Sequence, residues 1–329
     1  MTEREEDFQN LLRVRIVAAR HEAIDVRRFD LEREDGTPLP EFHAGAHVDL
    51  VVHLPDRSRA LRSYSIASPP GEKPEQYTVA ILYEENGTGG SMFLHEMVRG
   101  GYIIEISAPK NYFELAENAE SSVLIAGGIG ITPILAMAHE LSAAEQPFEL
   151  HYVAKTVEHM AFRKAIEETF ADQAKLYFDE GDPTKGIDIA GVLGAPEPSR
   201  HVYVCGPKGL IGAVRETAET LGWDEINVHF EVFTPPAPIA GDTPLEVVAA
   251  KSGITVQVPK NMTILDALEE AGVEADSDCR MGICGTCAVK VLEGEPAHRD
   301  NVLLKGEYTD GMMCICVSRA NTPRLVLDI

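Results

Sequence analysis

No run of about 18 apolar residues occurs anywhere in this chain of 329 residues, so no segment reads as a membrane-spanning helix. The opening MTEREEDFQNLLRVRI lacks the basic stretch followed by an apolar run that marks a secretory signal, and a cytoplasmic protein is expected. Internal repeats and low-complexity tracts are absent too. Basic residues are scarce: 29 Lys and Arg stand against 53 Asp and Glu, a net charge of −24. Such acidity repels nucleic acid and anionic membranes. It leaves two uses, solubility alone or an acidic face that steers docking to a protein partner. Before residue 279 the only cysteine is Cys205, whereas five follow. Thiols clustered in this way, in a chain without a secretory signal, favour metal ligation over disulfides.

What is present begins with those thiols. Cys279, Cys284 and Cys287 read Cys-x4-Cys-x2-Cys within DCRMGICGTC, and Cys316 follows after 28 intervening residues in CICVSRA. This is the ligand spacing of a plant-type 2Fe–2S cluster, in which one tight loop wraps three thiolates and a distant segment closes the fourth corner. Gly282 and Gly285 let the loop turn sharply and bring N–H groups near the sulfurs. Cys314 lies at a plausible distance as well, and on a β-strand it would share a face with Cys316, so periodicity cannot separate them. A zinc-binding interaction module is the rival from another class. Zinc prefers paired Cys-x2-Cys or mixed Cys and His ligands, which this spacing fits poorly.

The rest of the chain falls into segments. LRVRIVAAR, DVRRFDLERED, HVDLVVHL, QYTVAILYE and YIIEISAP are short alternating strands, the pattern of an antiparallel barrel or sandwich. From about residue 120 buried strands alternate with helical periods, which implies a parallel sheet covered by helices. TPPAPIAGDTP, residues 234–244, reads as a linker. The remainder mixes a hairpin, a helix and the cysteine loop.

Four further motifs stand in order. RSYSIAS offers Arg62 beside the Ser63 and Ser65 hydroxyls for a phosphate, and Tyr64 as a flat surface for a ring system. GTGGSMFLHE puts Gly89, Gly90 and Ser91 before a helical pattern, where free N–H groups and the helix dipole favour an anion. AGGIGITPIL follows a buried strand and opens a helix, the setting of a dinucleotide loop, although its spacing is not Gly-x-Gly-x-x-Gly. There Gly127, Gly128 and Gly130 would let a cofactor approach the backbone. VYVCGPKGL ends a fourth buried strand at Cys205 and Gly206, on the carboxyl edge where open α/β sheets bind ligands.

Together these motifs resemble the ferredoxin–NADP reductase-like flavoproteins and, more narrowly, the phthalate dioxygenase reductase and vanillate demethylase reductase family. HFEVF at 229–233, AHRDNVL at 297–303 and CVSRA before LVLDI match it too. The resemblance implies a multidomain fold. An FMN-binding antiparallel β-barrel would occupy 1–115, an NAD-binding α/β domain 116–233, and an α+β ferredoxin-like (β-grasp) 2Fe–2S domain 245–329. It places Arg62 on the flavin phosphate, Tyr64 along the isoalloxazine, Ser65 near a ring nitrogen or the ribityl chain, and Gly89, Gly90 and Ser91 on phosphate and ring. Gly127, Gly128, Gly130 and Thr132 would carry the nicotinamide nucleotide, with Cys205 and Gly206 close to the nicotinamide. Phe233 would stack on the flavin, with Phe230 as the alternative. Cys316 precedes Val-Ser-Arg-Ala as the family's ligand does, which selects it over Cys314.

The implied activity is hydride transfer from NADH to FMN, then single-electron transfer through the cluster to a Rieske-type terminal oxygenase, with the reductase monomeric. No side chain is required as acid or base, and Ser65, Thr132, Cys205 and Phe233 would position the reactants. His95, His229 and His298 read as structural hydrogen-bonders. NADH is expected over NADPH because AKTVEHMAF offers only Lys155 and Arg163 as cations, beside Glu158 and the later FDEGD. A cytochrome P450 or another ferredoxin-dependent protein is the alternative acceptor.

Overall fold

The structure, a computed structural model, describes residues 8–233 and 242–329. Residues 234–241 of the expected linker lie outside the described residues. The chain divides into two compact units, one ending at Glu231 and one beginning at Val232.

The first unit opens with β1 (Leu12–Ala23), β2 (Val26–Arg33), β3 (Ala46–His53), β4 (Arg59–Ser65) and β5 (Tyr77–Leu82), then α1 (Gly90–Met97), β6 (Ile103–Ile106) and β7 (Lys110–Asn111). The sheet runs β4-β3-β6-β1-β2-β5, with β7 on β3. Its two ends meet through an Ile66–Val79 bridge and an Ala67 N–H to Thr78 C=O bond of 2.8 Å, which closes a barrel. Closure removes the edge strands that would otherwise be left unpaired. Alternation explains the strands: Val14 and Ile16 of β1 are fully buried while Arg13 and Arg15, which alternate with them, face water.

β8 (Ser121–Gly127), α2 (Ile131–Ala143), β9 (Phe148–Ala154), α3 (Arg163–Thr169), β10 (Ala174–Phe178), α4 (Ile189–Leu193), β11 (Arg200–Cys205), α5 (Lys208–Leu221) and β12 (Val228–Glu231) follow. They build a parallel sheet in the order β10-β9-β8-β11-β12. β8 and β11 are buried on both faces, which is why they read as continuous apolar runs. Residues of both sheets share one apolar cluster: Ala44, Ala67, Ala80 and Phe113 of the barrel region pack with Ile131, Ile134 and Tyr203. Polar ties cross the same boundary, including the Ala44 N–H to Glu140 at 2.7 Å and the Phe162 N–H to Glu22 at 2.9 Å. α3 starts only at Arg163, because Phe162 just before it adopts φ +57°.

The second unit contains β13 (Leu245–Ala249), β14 (Ile254–Val258), α6 (Ile264–Glu270), β15 (Ala288–Glu293), β16 (Pro296–Ala297), α7 (Lys305–Thr309), β17 (Met312–Cys314), β18 (Arg319–Ala320) and β19 (Arg324–Leu327). Its main sheet runs β14-β13-β19-β15-β17; β13 and β19 are parallel and the other pairs antiparallel. Ile264, Leu265 and Leu268 of α6 join the core of this sheet, the β-grasp arrangement. Thr263 caps α6 by accepting the Asp266 N–H at 3.0 Å. Among the described residues no helix is long and apolar enough to cross a membrane.

Candidate active site and metal centre

β4 brings Arg62 to the start of α1. The guanidinium donates to Thr88 Oγ1 at 2.9 Å and to the Leu61 carbonyl at 2.6 Å. A Cβ on Gly90 would lie 2.9 Å from Arg62 Cγ, and one on Gly89, which has φ +100°, would lie 2.6 Å from Pro55 Cδ. These two glycines therefore let the helix begin directly against the arginine, so that free N–H groups and a fixed cation face the same point. Ser91 has another task, since its hydroxyl accepts the Glu84 N–H at 3.0 Å. Tyr64 shares the Arg62 face of the strand. Burial raises its phenol pKa, and the Arg62 charge opposes that rise. Ser63 points the other way and donates to Asp49 at 2.5 Å across the strand pair, so its hydroxyl does not join Arg62 as the sequence pattern suggested.

The carboxyl edge of the parallel sheet holds the remaining polar groups. A Cβ on Gly130 would lie 2.3 Å from the Cys205 carbonyl oxygen. One on Gly127 would lie 2.7 Å from Pro207 Cδ, and one on Gly206 would lie 2.9 Å from Gly127 Cα. These three glycines seat the β8–α2 loop against the β11–α5 loop, a different use from the cofactor approach expected of Gly127 and Gly130. Gly128 alone of the loop glycines faces open space, at φ +54°, and Tyr152 steadies it by donating to its carbonyl at 3.0 Å. Thr132 is buried and donates to the Ile129 carbonyl at 3.0 Å.

At that edge Ser65, Cys205 and Glu231 converge from β4, β11 and β12. Cys205 and Glu231 are register partners, and the Ser65 hydroxyl donates to the Glu231 carboxyl. Glu231 is only 6 % exposed, and its Oε2 has no hydrogen-bond partner among the described residues. Burial pushes its pKa up to about 8, with the Ser65 hydrogen bond opposing, so at pH 7 most of it carries a proton. Burial, then the Glu231 charge, raise the Cys205 thiol in the same way. Glu231 was not singled out from the sequence. Its one visible signal is an ionisable residue closing the otherwise unremarkable strand HFEVF.

Of the two phenylalanines, Phe230 is occupied: the Arg215 guanidinium lies 4.2 Å from its ring centre. Phe233, two residues beyond β12, is 42 % exposed. Beyond β9, Arg163 is committed to Glu167 at 2.8 Å, and Glu158 accepts from Thr156 at 2.6 Å. The three histidines are hydrogen-bonded or stacked. His95 Nε2 pairs with the Ile81 carbonyl at 2.8 Å; His229 pairs with His201 at 2.9 Å and stacks on Tyr203; the His298 ring lies against Tyr308.

In the second unit the thiols gather. Cys279 lies against Cys284, and Cys287 lies against both Cys314 and Cys316. Among the described residues no three His, Cys, Asp or Glu side chains surround a single metal-ion position. A structural zinc ion wants four ligands about one point, whereas a two-iron cluster takes two protein thiolates on each iron. The residues fit the cluster. Backbone donors point at the sulfurs: the Met281 N–H lies 3.3 Å from Cys279 Sγ, and the Gly282 N–H bonds Cys316. Gly282 and Gly285 take φ +73° and +75°, and Arg280, at φ +53°, is held by Asp266 at 2.9 Å and by Glu269. β17 ends at Cys314 and Cys316 sits in the turn that follows, so the two do not share a strand face as strand alternation would have had it. Cys314 pairs in register with Ala288 of β15 and lies against Cys287 as Cys316 does, while Cys316 is also near Cys279 and the Gly282 N–H.

A closed barrel, a parallel sheet with polar groups at its carboxyl edge and a β-grasp unit with gathered thiols define an iron–sulfur flavoprotein reductase. A family model described as a 2Fe-2S iron-sulfur cluster binding domain matches residues 247–321, and one described as the N-terminal domain of dimethylamine monooxygenase subunit DmmA-like proteins matches 104–228. The chain is 41 % identical to a vanillate O-demethylase oxidoreductase of Pseudomonas sp. (strain HR199), over 97 % of this chain and 100 % of that one. It is 38 % identical to the phthalate dioxygenase reductase of Burkholderia cepacia over the whole of both. A solved phthalate dioxygenase reductase structure superposes with a TM-score of 0.71 at 36 % identity, covering both chains entirely. An intact type IV self-sufficient cytochrome P450 monooxygenase gives a TM-score of 0.77 at 33 % identity, over 97 % of this chain and 41 % of that one. The chain belongs to the phthalate dioxygenase reductase and vanillate O-demethylase reductase family.

Proposed function

We propose that this protein takes hydride from NADH onto FMN and delivers electrons singly, through a 2Fe–2S cluster, to a Rieske-type terminal oxygenase, as a cytoplasmic monomer. The observation that carries the reading is the gathering of Cys279, Cys284, Cys287 and Cys316 in a segment that a 2Fe-2S cluster-binding family model matches. Bound FMN supplies the step from electron pairs to single electrons, and the cluster carries them one at a time. Arg62 and the first N–H groups of α1 would bind the flavin phosphate, and Tyr64 would flank the ring. Gly128 would admit the nucleotide at its open side, with Thr132 fixing the loop. Ser65 and the protonated Glu231 would orient the ring edge, and the free Oε2 gives Glu231 one hydrogen bond to offer. Cys205 is small and buried, which keeps water from the place where the nicotinamide would lie. Phe233 would cover the flavin, since Phe230 is held by Arg215. Cys316 would be the fourth ligand and Cys314 a thiol beside Cys287. The domain limits proposed are 1–115 for flavin, 116–233 for nucleotide and 245–329 for the cluster.

The oxygenase acceptor is supported by relatives named as reductases of phthalate dioxygenase and carnitine monooxygenase. The likeness to a self-sufficient cytochrome P450 supports a haem acceptor as the second reading. Anaerobic titration with NADH, followed by visible and EPR spectroscopy, tests the electron path. Flavin bleaching followed by a reduced 2Fe–2S EPR signal is expected; bleaching without that signal would sink the proposal.

A further inference from the structure

Asp300 is a buried acidic residue that the electron path above leaves unused. It is 8 % exposed and lies between the two stretches of chain that carry the thiols. Its Oδ2 accepts the Leu303 N–H at 3.1 Å and the Tyr308 hydroxyl at 3.0 Å, and its Oδ1 accepts the Ser318 hydroxyl at 3.3 Å. Ser318 is fully buried, two residues past Cys316. Its N–H closes the Cys316 turn on the Cys314 carbonyl at 3.0 Å, and its hydroxyl accepts the Arg299 N–H at 3.1 Å. Across from this turn, the Asn301 N–H donates to the Gly282 carbonyl at 2.8 Å. A Cβ on Gly282 would lie 3.1 Å from Asp300 Cα and 3.3 Å from its Cβ, so the backbone of Asp300 packs on the loop between Cys279 and Cys284.

The Asp300 side chain thus holds the Cys316 turn through Ser318, while its own backbone and that of Asn301 meet the Cys279–Cys284 loop at Gly282. Three neutral donors hold its two carboxyl oxygens. Asp300 acts electrostatically on the neighbouring Cys314 thiol, and a negative charge beside a cluster would disfavour the arrival of an electron, since outer contacts of this kind tune iron–sulfur potentials. We propose that Asp300 is a positioning residue for the iron–sulfur centre: it fastens the Cys279–Cys284 loop to the Cys316 turn, and its charge holds the reduction potential down. This rests on the reading that the four thiols carry a 2Fe–2S cluster.

The test uses the full-length, cofactor-loaded protein with Asp300→Asn and Ser318→Ala. Asp300→Asn keeps the shape and removes the charge, so the EPR-monitored midpoint of the cluster should move to a more positive potential. Ser318→Ala removes one link to the turn and leaves the charge. Its cluster should be lost to a chelator about 10-fold faster, the usual scale for outer partners of metal ligands, at an unaltered midpoint. A wild-type midpoint in Asp300→Asn, or wild-type cluster retention in Ser318→Ala, overturns the inference while the cluster reading stands. If Asp300→Asn fails to fold, retention in Ser318→Ala decides by itself. An unmodified protein with no 2Fe–2S absorption would bring down the functional reading and this inference together.

Discussion

The two chemical centres are built on opposite plans. The proposed hydride site draws Ser65 from a barrel strand and Cys205 and Glu231 from two strands more than a hundred residues further on, and the polar groups there are uncharged or nearly so at pH 7. The thiol site takes three ligands from one loop of nine residues, Cys279 to Cys287, and surrounds them with ionised braces: Arg280 with Asp266 and Glu269, Arg299 with Asp242. The difference follows from what each centre must bind. A neutral, buried edge suits flat rings that exchange hydride out of water. A cluster held by four thiolates would carry its own negative charge, which backbone N–H donors at the sulfurs offset, while the ion pairs fix the loop that presents them.

The comparison breaks most completely at the thiols. Cys316→Ser should abolish the visible absorption and reduced EPR signal of the cluster while flavin reduction by NADH continues, and Cys314→Ser should leave both signals. The reverse pattern would exchange the two assignments. The hydride edge, by contrast, should fail through packing. Gly130→Ala puts a Cβ 2.3 Å from a backbone oxygen that no rotamer can move. Overpacking of this sort costs about 1–3 kcal/mol, read as a lower midpoint in flavin-fluorescence melts. Gly128→Ala meets open space and bears only its left-handed backbone, at about 1–2 kcal/mol. Equal melting losses in the two variants would show that the loops do not depend on their close seating.

The same contrast decides what could be read from the amino-acid order. A loop that carries its own ligands announces itself by spacing, and Cys279, Cys284 and Cys287 were legible for that reason. The barrel and parallel sheet were legible through periodicity, since alternation along β1 and apolar runs in β8 and β11 are local properties. Glu231 was not. Its role depends on a register with Cys205 and on contact with a barrel strand some 166 positions earlier, neither of which leaves a local trace. Ser63 misled for a related reason: strand alternation turns it to Asp49, but its neighbours in sequence place it beside Arg62. The Cys316 turn was missed because a strand of three residues, Met312–Cys314, is too short for periodicity to show where it stops.

The last expected effect bears on the proposal that the hydride edge works while neutral. Glu231 has its pKa raised to about 8 in the folded chain, against an ordinary value of 4.5. Below pH 4.5 both folded and unfolded chains hold the proton, and the residue contributes nothing. As pH rises towards 8 the unfolded chain ionises while the folded chain does not, so stability falls across that window, by an amount on the order of a few kcal/mol. Glu231→Gln should remove this slope and melt higher than the unmodified protein at pH 8, with the two curves converging at pH 4.5. It should also flatten the rate of flavin reduction by NADH between pH 7 and 9. In the unmodified protein that rate should decline through about pH 8, because an ionised carboxylate beside the electron-accepting ring opposes incoming negative charge. Stopped-flow traces over this range decide the matter: a decline that survives in Glu231→Gln would assign it to another group and leave Glu231 a purely structural partner of Ser65.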